Sequence, residues 1–125
     1  MSLRSRVMKG AALAAVVLVP AVAWADTDGL KGTVASLTIN ETSADDYASE
    51  RGNVVINEGS TARKYQWGGT ACNGKYVSES NIDLLVQAMR AADKLEVVPS
   101  YKAGAGGARC LVGFRVQVIA PEPAR

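Results

Sequence analysis

Hydrophobic residues in this chain fall into three patterns. Residues 11–19 form one unbroken apolar run near the N-terminus. Further on, stretches at 32–40, 53–57, 61–67, 95–101 and 110–119 carry branched or aromatic residues at a spacing near two, the mark of half-buried strands. Between the third and fourth of these, Ile82, Leu85, Met89 and Ala92 recur at helical spacing, and Leu84, Ala88 and Ala91 widen the stripe. This predicts a helix over 80–93, opened by a capping box Ser80-x-x-Asp83. Asp83 early and Arg90 and Lys94 late complement its dipole.

The strands have individual features. In the first, Val34 and Leu37 are out of phase, which predicts a bulge near Ala35 or Ser36. Glu58-Gly59-Ser60 reads as a turn between the second and third strands, and Gly68-Gly69 ends the third. Pro99 marks the fourth strand as an edge or a bulged strand. In the fifth, Cys110, Val112, Phe114, Val116 and Val118 alternate with Leu111, Gly113, Arg115 and Gln117, so Leu111 and Gly113 are expected on the outward side, open to a subunit contact. Polar loops fill 41–52 and 102–109, residues 26–30 are a polar lead-in, and the tail 121–125 is read as frayed.

The N-terminal run has the three parts of a secretory signal. Arg4, Arg6 and Lys9 precede it, and Ala23-Trp24-Ala25 closes it as a cleavage box. Residues 1–25 are therefore read as a signal peptide and 26–125 as one mature domain. Pro20 interrupts the run short of the ~20 residues a membrane span needs, so no span is expected after cleavage. The Ala- and Val-rich signal suggests a bacterial source and a periplasmic or secreted product. Cleavage leaves eleven basic against twelve acidic side chains, a formal charge of −1 in place of +2. No basic cluster of the kind that displaces counterions from nucleic acid remains.

Composition narrows the chemistry. Histidine is absent, which removes Ser-His-Asp and Cys-His catalysis and His-bearing zinc sites. Cys72 and Cys110 are the only cysteines, and in an oxidising compartment they are expected to pair across 38 residues. The alternative is two buried free thiols. No cofactor or metal motif stands out: the run at 104–107 lacks the third glycine and following helix of a dinucleotide site, and Asp45-Asp46 does not fit a calcium loop. An enzyme is not expected. One would need carboxylates gathered from Asp45, Asp46, Glu58 or Glu96.

The order strand, strand, strand, helix, strand, strand is that of a five-stranded OB-fold-like barrel, an α+β, mainly β class in which a bent first strand allows closure. The other arrangement of the same elements is a helix packed on a curved antiparallel sheet. In element order, size, export and single disulfide, residues 30–119 resemble the B subunits of bacterial pentameric toxins. That resemblance implies an OB-fold barrel, glycan binding and assembly into a homo-oligomer. On this reading the loop at 102–109 touches ligand, bringing Lys102 and Arg109 to an acidic or sugar group. Tyr65 and Trp67, two apart beside Gly68-Gly69, offer rings for stacking or for the core. The expected function is a small exported, non-enzymatic binding module for a glycan or protein, with Tyr65, Trp67, Lys102 and Arg109 as ligand contacts. The rival is a structural or inhibitor protein with one dedicated protein partner. Asn40-Glu41-Thr42 is a glycosylation sequon, relevant to a eukaryotic source alone.

Overall fold

The computed structural model describes residues 25–120. The signal segment, apart from Ala25, and the tail 121–125 lie outside them.

The strands are β1 (Thr27–Asp28), β2 (Thr33–Ile39), β3 (Gly52–Glu58), β4 (Thr61–Trp67), β5 (Leu95–Ala103) and β6 (Arg109–Val118), with one helix, α1 (Glu79–Arg90), between β4 and β5. They form one six-stranded mixed sheet in the order β1-β5-β6-β4-β3-β2. Every pairing is antiparallel except the short parallel one between β4 and β6 at Gln66 and Cys110. The class is α+β and mainly β. The strand count differs from five because residues of the polar lead-in pair with β5, Thr27 against Tyr101 and Asp28 against Ser100. Two residues of unremarkable composition carry no periodicity, so pattern alone passes over them.

The bulge expected in β2 is present. Val34 faces Ile56 and Ser36 faces Val55, so the register slips at Ala35. The extra residue puts buried Val34 and half-buried Leu37 on the same face. Gly59 at φ +68 turns the chain from β3 into β4 in a two-residue loop. Pro99 sits in β5 where its nitrogen faces the lead-in. Its carbonyl accepts from the Gly29 amide at 2.8 Å, and Val97 exchanges both backbone bonds with Gly32 at 2.7 and 3.0 Å. The ladder there is sparse enough to tolerate the missing donor.

A second bulge changes the face assignment of β6. Ser100 pairs with Gly113 but Tyr101 with Leu111, so Val112 is the extra residue. Leu111 therefore turns inward, only 1% exposed, while Phe114 and Val116 pack against the same core. Leu111 is thus a core residue, a correction to the outward position that unbroken alternation implied.

Helix α1 starts earlier than its apolar spacing suggested. Ser78 is the N-cap, its hydroxyl accepting from the Asn81 amide at 3.3 Å. Ser80 is already inside the helix, so the Ser80–Asp83 box does not form. Leu85 and Ala88 are buried, Ile82 and Met89 pack at their side, and Leu84 stays 44% exposed. The core joins this face to Val34, Val54, Ile56, Tyr65, Trp67, Val97 and Leu111. Each large side chain buried here contributes roughly 1.5–3 kcal/mol.

Candidate ligand-binding clefts

The Cys72–Cys110 disulfide, with Cα atoms 5.5 Å apart, ties the loop after β4 to the start of β6. Two clefts are lined by residues of the elements it ties together.

The first cleft, of about 240 Å³, lies between the lead-in and the ends of β3, β4, β5 and β6. Its floor is the carboxylate of Glu58, whose side chain is 1% exposed. The Arg63 Nε donates to Glu58 Oε1 at 3.0 Å, and the Tyr65 hydroxyl donates to Oε2. Strand pairing puts the three on one face: Glu58 is opposite Thr61, so Arg63 is its diagonal neighbour and Tyr65, two residues further along β4, lies on the same side of the sheet. Burial, then the hydrogen bond to Glu58, pushes the Tyr65 hydroxyl well above its ordinary pKa. Tyr101 is 5.5 Å from the Tyr65 ring, and the Arg109 guanidinium stands 6.0 Å from the Tyr101 centroid. Arg109 makes no ion pair among the described residues.

The structure separates the four side chains expected to contact ligand. Tyr65 and Trp67 occupy the core, at 0% and 3% exposure, with the Trp67 ring lying over Gly52. Only the Tyr65 hydroxyl reaches a cleft. Residues two apart on a strand share a face, and on β4 that face is the core. Lys102 is opposite Cys110 and Arg109 opposite Ala103, so the two cations leave opposite faces of the β5–β6 hairpin. Lys102 pairs with Asp26 at 2.8 Å, whereas Arg109 points to the cleft. The Gly-rich turn between them is pinned, with the Ala105 amide bonded to the Ala71 carbonyl at 3.0 Å.

The candidate carboxylates also stay apart. Asp45 and Asp46 are exposed in the loop after β2, Glu58 is held by Arg63, and Glu96 accepts from Gln117 at 2.7 Å with Lys31 at 4.0 Å. The sequon residue Asn40 donates its side-chain amide to the Glu50 carbonyl at 2.9 Å.

The second cleft, of about 360 Å³, was missed in the sequence. It is lined by Ala48, Arg51, Gly69, Thr70, Asn73 and Tyr76. Two loops form it. The Thr70 and Ala71 amides bond to the Ala48 and Ser49 carbonyls at 3.0 and 3.2 Å, and the Gly68 amide to the Lys75 carbonyl at 2.6 Å. Gly68 and Gly69 both take positive φ, +69 and +71, which other residues rarely adopt. A Cβ on Gly68 would run into the Arg51 side chain, and one on Gly69 into the Ser49 backbone. Arg51 stacks on the Tyr47 ring at 3.8 Å, and its Nη1 donates to the Tyr47 carbonyl. Tyr76 is 64% exposed. The side chains of Thr70 and Asn73 make no hydrogen bond among the described residues, and Arg51 makes no ion pair there. The one signal in the sequence was Gly68-Gly69 next to a cysteine loop. The rings that attend it, Tyr47 and Tyr76, arrive from elsewhere in the chain.

No family model, no curated protein and no solved structure matches the chain.

Proposed function

We propose that this protein is an exported, non-enzymatic binding module that holds a glycan in the cleft of Arg51, Thr70, Asn73 and Tyr76. The observation that carries the reading is the combination found there. An exposed aromatic ring, 64% accessible, stands beside three polar side chains with unspent hydrogen-bonding capacity. A pyranose offers an apolar face to a ring and hydroxyls to planar donors and acceptors, and Arg51, Thr70 and Asn73 supply both kinds. The disulfide and the backbone bonds between the loops fix the cleft in advance, which lowers the ordering cost of binding.

Two further parts of the reading have their own support. An OB-type barrel is one part of this reading, and it is supported by the parallel pairing of β4 with β6 among otherwise antiparallel pairs and by the bridge from Gly32, just before β2, to Val97 in β5. The start of β2 thereby approaches the strand at the far side of the sheet, as closure requires. Export is supported by the disulfide, which persists in oxidising compartments, and no described helix is long and apolar enough to cross a membrane.

The test is a glycan array probed with the full chain and with its Tyr76→Ala and Asn73→Ala variants, alongside a pull-down of exported proteins. Glycan binding lost at least tenfold in both variants supports the reading. Glycan binding indifferent to both variants moves the site elsewhere, and no glycan binding alongside a stoichiometric protein partner overturns the ligand class.

A further inference from the structure

The Arg109 cleft gathers two arginines and one carboxylate on a single face. Tyr101 is opposite Leu111, and Arg109, two residues before Leu111, emerges on the same side. The Tyr65 ring, 5.5 Å from Tyr101, brings Glu58 and Arg63 to that side too. Arg63 and Glu58 answer one another at 3.0 Å, and the Tyr65 hydroxyl donates to the second Glu58 oxygen. The buried carboxylate is thereby balanced, and the phenol stays neutral. Arg109 has no such counterpart. Across the hairpin it faces Ala103, and it makes no ion pair among the described residues. The acids of the lead-in are held on the reverse face. Asp28 is opposite Ser100 and accepts from its hydroxyl at 2.8 Å, and Asp26 pairs with Lys102 at 2.8 Å. The cleft face thus keeps one positive charge unanswered.

We propose that this cleft binds a monocarboxylate, independently of any glycan. The guanidinium fork of Arg109 suits two carboxylate oxygens in one plane. Charge selects the ligand: one carboxylate balances Arg109, whereas a phosphate dianion brings a second negative charge towards the buried Glu58. The walls are fixed in advance. The Gly29 amide donates to the Pro99 carbonyl at 2.8 Å, and Gly29 lies so close to the Tyr65 hydroxyl that a side chain there would collide with it. The Tyr101 ring, 6.0 Å from the guanidinium, and the exposed Leu30 give the ligand's carbon atoms an apolar surface. The volume sets the size. At about 30 Å³ per water, 240 Å³ holds about eight waters, so a carboxylate with a few carbons fits inside. That is below the range of drug-sized pockets. A free short-chain acid and the C-terminus of a peptide offer the same group.

Isothermal titration of the full chain with butyrate and with N-acetyl-dialanine tests this, the first standing for a free acid and the second for a peptide C-terminus. Butyramide and the C-terminal amide of N-acetyl-dialanine, which lack the charge, and inorganic phosphate serve as controls. The expected result is saturable binding of at least one carboxylate at millimolar concentration, at least tenfold weaker for its amide and for phosphate. Tighter binding of butyrate makes a free acid the source, and tighter binding of N-acetyl-dialanine makes it a peptide end; both support the site. Arg109→Gln should weaken binding at least tenfold while keeping the wild-type circular dichroism spectrum. Asp28→Asn, on the reverse face, should not weaken it. Tyr76→Ala should leave it unchanged, which separates this site from the glycan cleft. No binding of either carboxylate at millimolar concentration, equal binding of acid and amide, phosphate bound as tightly as the carboxylates, or binding indifferent to Arg109→Gln overturns the proposal.

Discussion

Among single residues, Tyr65 carries the most instructive energetics. Its ring fills the core and its hydroxyl closes the buried Glu58 carboxylate. Tyr65→Phe keeps the ring and leaves one carboxylate oxygen without its donor, at a cost of about 1–3 kcal/mol near neutral pH. The effect depends on pH with a definite sign. The folded hydroxyl titrates above its ordinary value near 10, because of burial first and Glu58 second. The folded chain therefore keeps this proton where the unfolded chain has lost it. The stability it provides is complete below about pH 10 and declines as pH rises beyond. Urea midpoints from pH 8 to 11 should show wild type converging on Tyr65→Phe at the alkaline end. Parallel curves would show that this hydroxyl is not the group responsible. Gly52 gives a second check. A methyl there meets the Trp67 ring at 2.6 Å and the Thr38 carbonyl at 2.7 Å, so Gly52→Ala should cost about 1–3 kcal/mol in the same assay.

Within elements, the two serines at the start of α1 should behave differently. Ser78→Ala removes the cap and should cost about 0.5–2 kcal/mol, while Ser80→Ala, inside the first turn, should change thermal stability little. Equal effects would refute the cap assignment. The disulfide closes 38 residues, and replacing both cysteines by serine should lower stability by about 4 kcal/mol on the chain-entropy model. Much of this layer was legible in the sequence. The bulge in β2 could be read because Val34 and Leu37 were visibly out of phase. The bulge in β6 could not, since Cys110, Val112, Phe114, Val116 and Val118 alternate without a fault; only pairing with β5 reveals the extra residue. Ser78 was passed over because a cap is a matter of backbone entry angle, and Ser80 with Asp83 matched the motif better. Of the four expected ligand contacts, Arg109 and the Tyr65 hydroxyl reach a cleft. Which face of β4 is core depends on β3, and which face of the hairpin Lys102 takes depends on β6 register. Neither dependence is local.

For the whole molecule, the account rests on one disulfide-tied junction and two clefts lined by the elements it joins. The two clefts have different characters. One sets an exposed ring beside Arg51, Thr70 and Asn73, and the other sets Arg109 near the buried Glu58–Arg63 ion pair. Their separation means that substitutions in one should leave the other intact. The most direct test of the central claim is an NMR titration of the isotopically labelled full chain with the strongest glycan from the array. The account predicts backbone shift changes concentrated at residues 47–51 and 69–76, abolished by Tyr76→Ala, with residues 28–30 and 109 undisturbed. Shift changes centred outside those two loops, or unaltered by Tyr76→Ala, would contradict it.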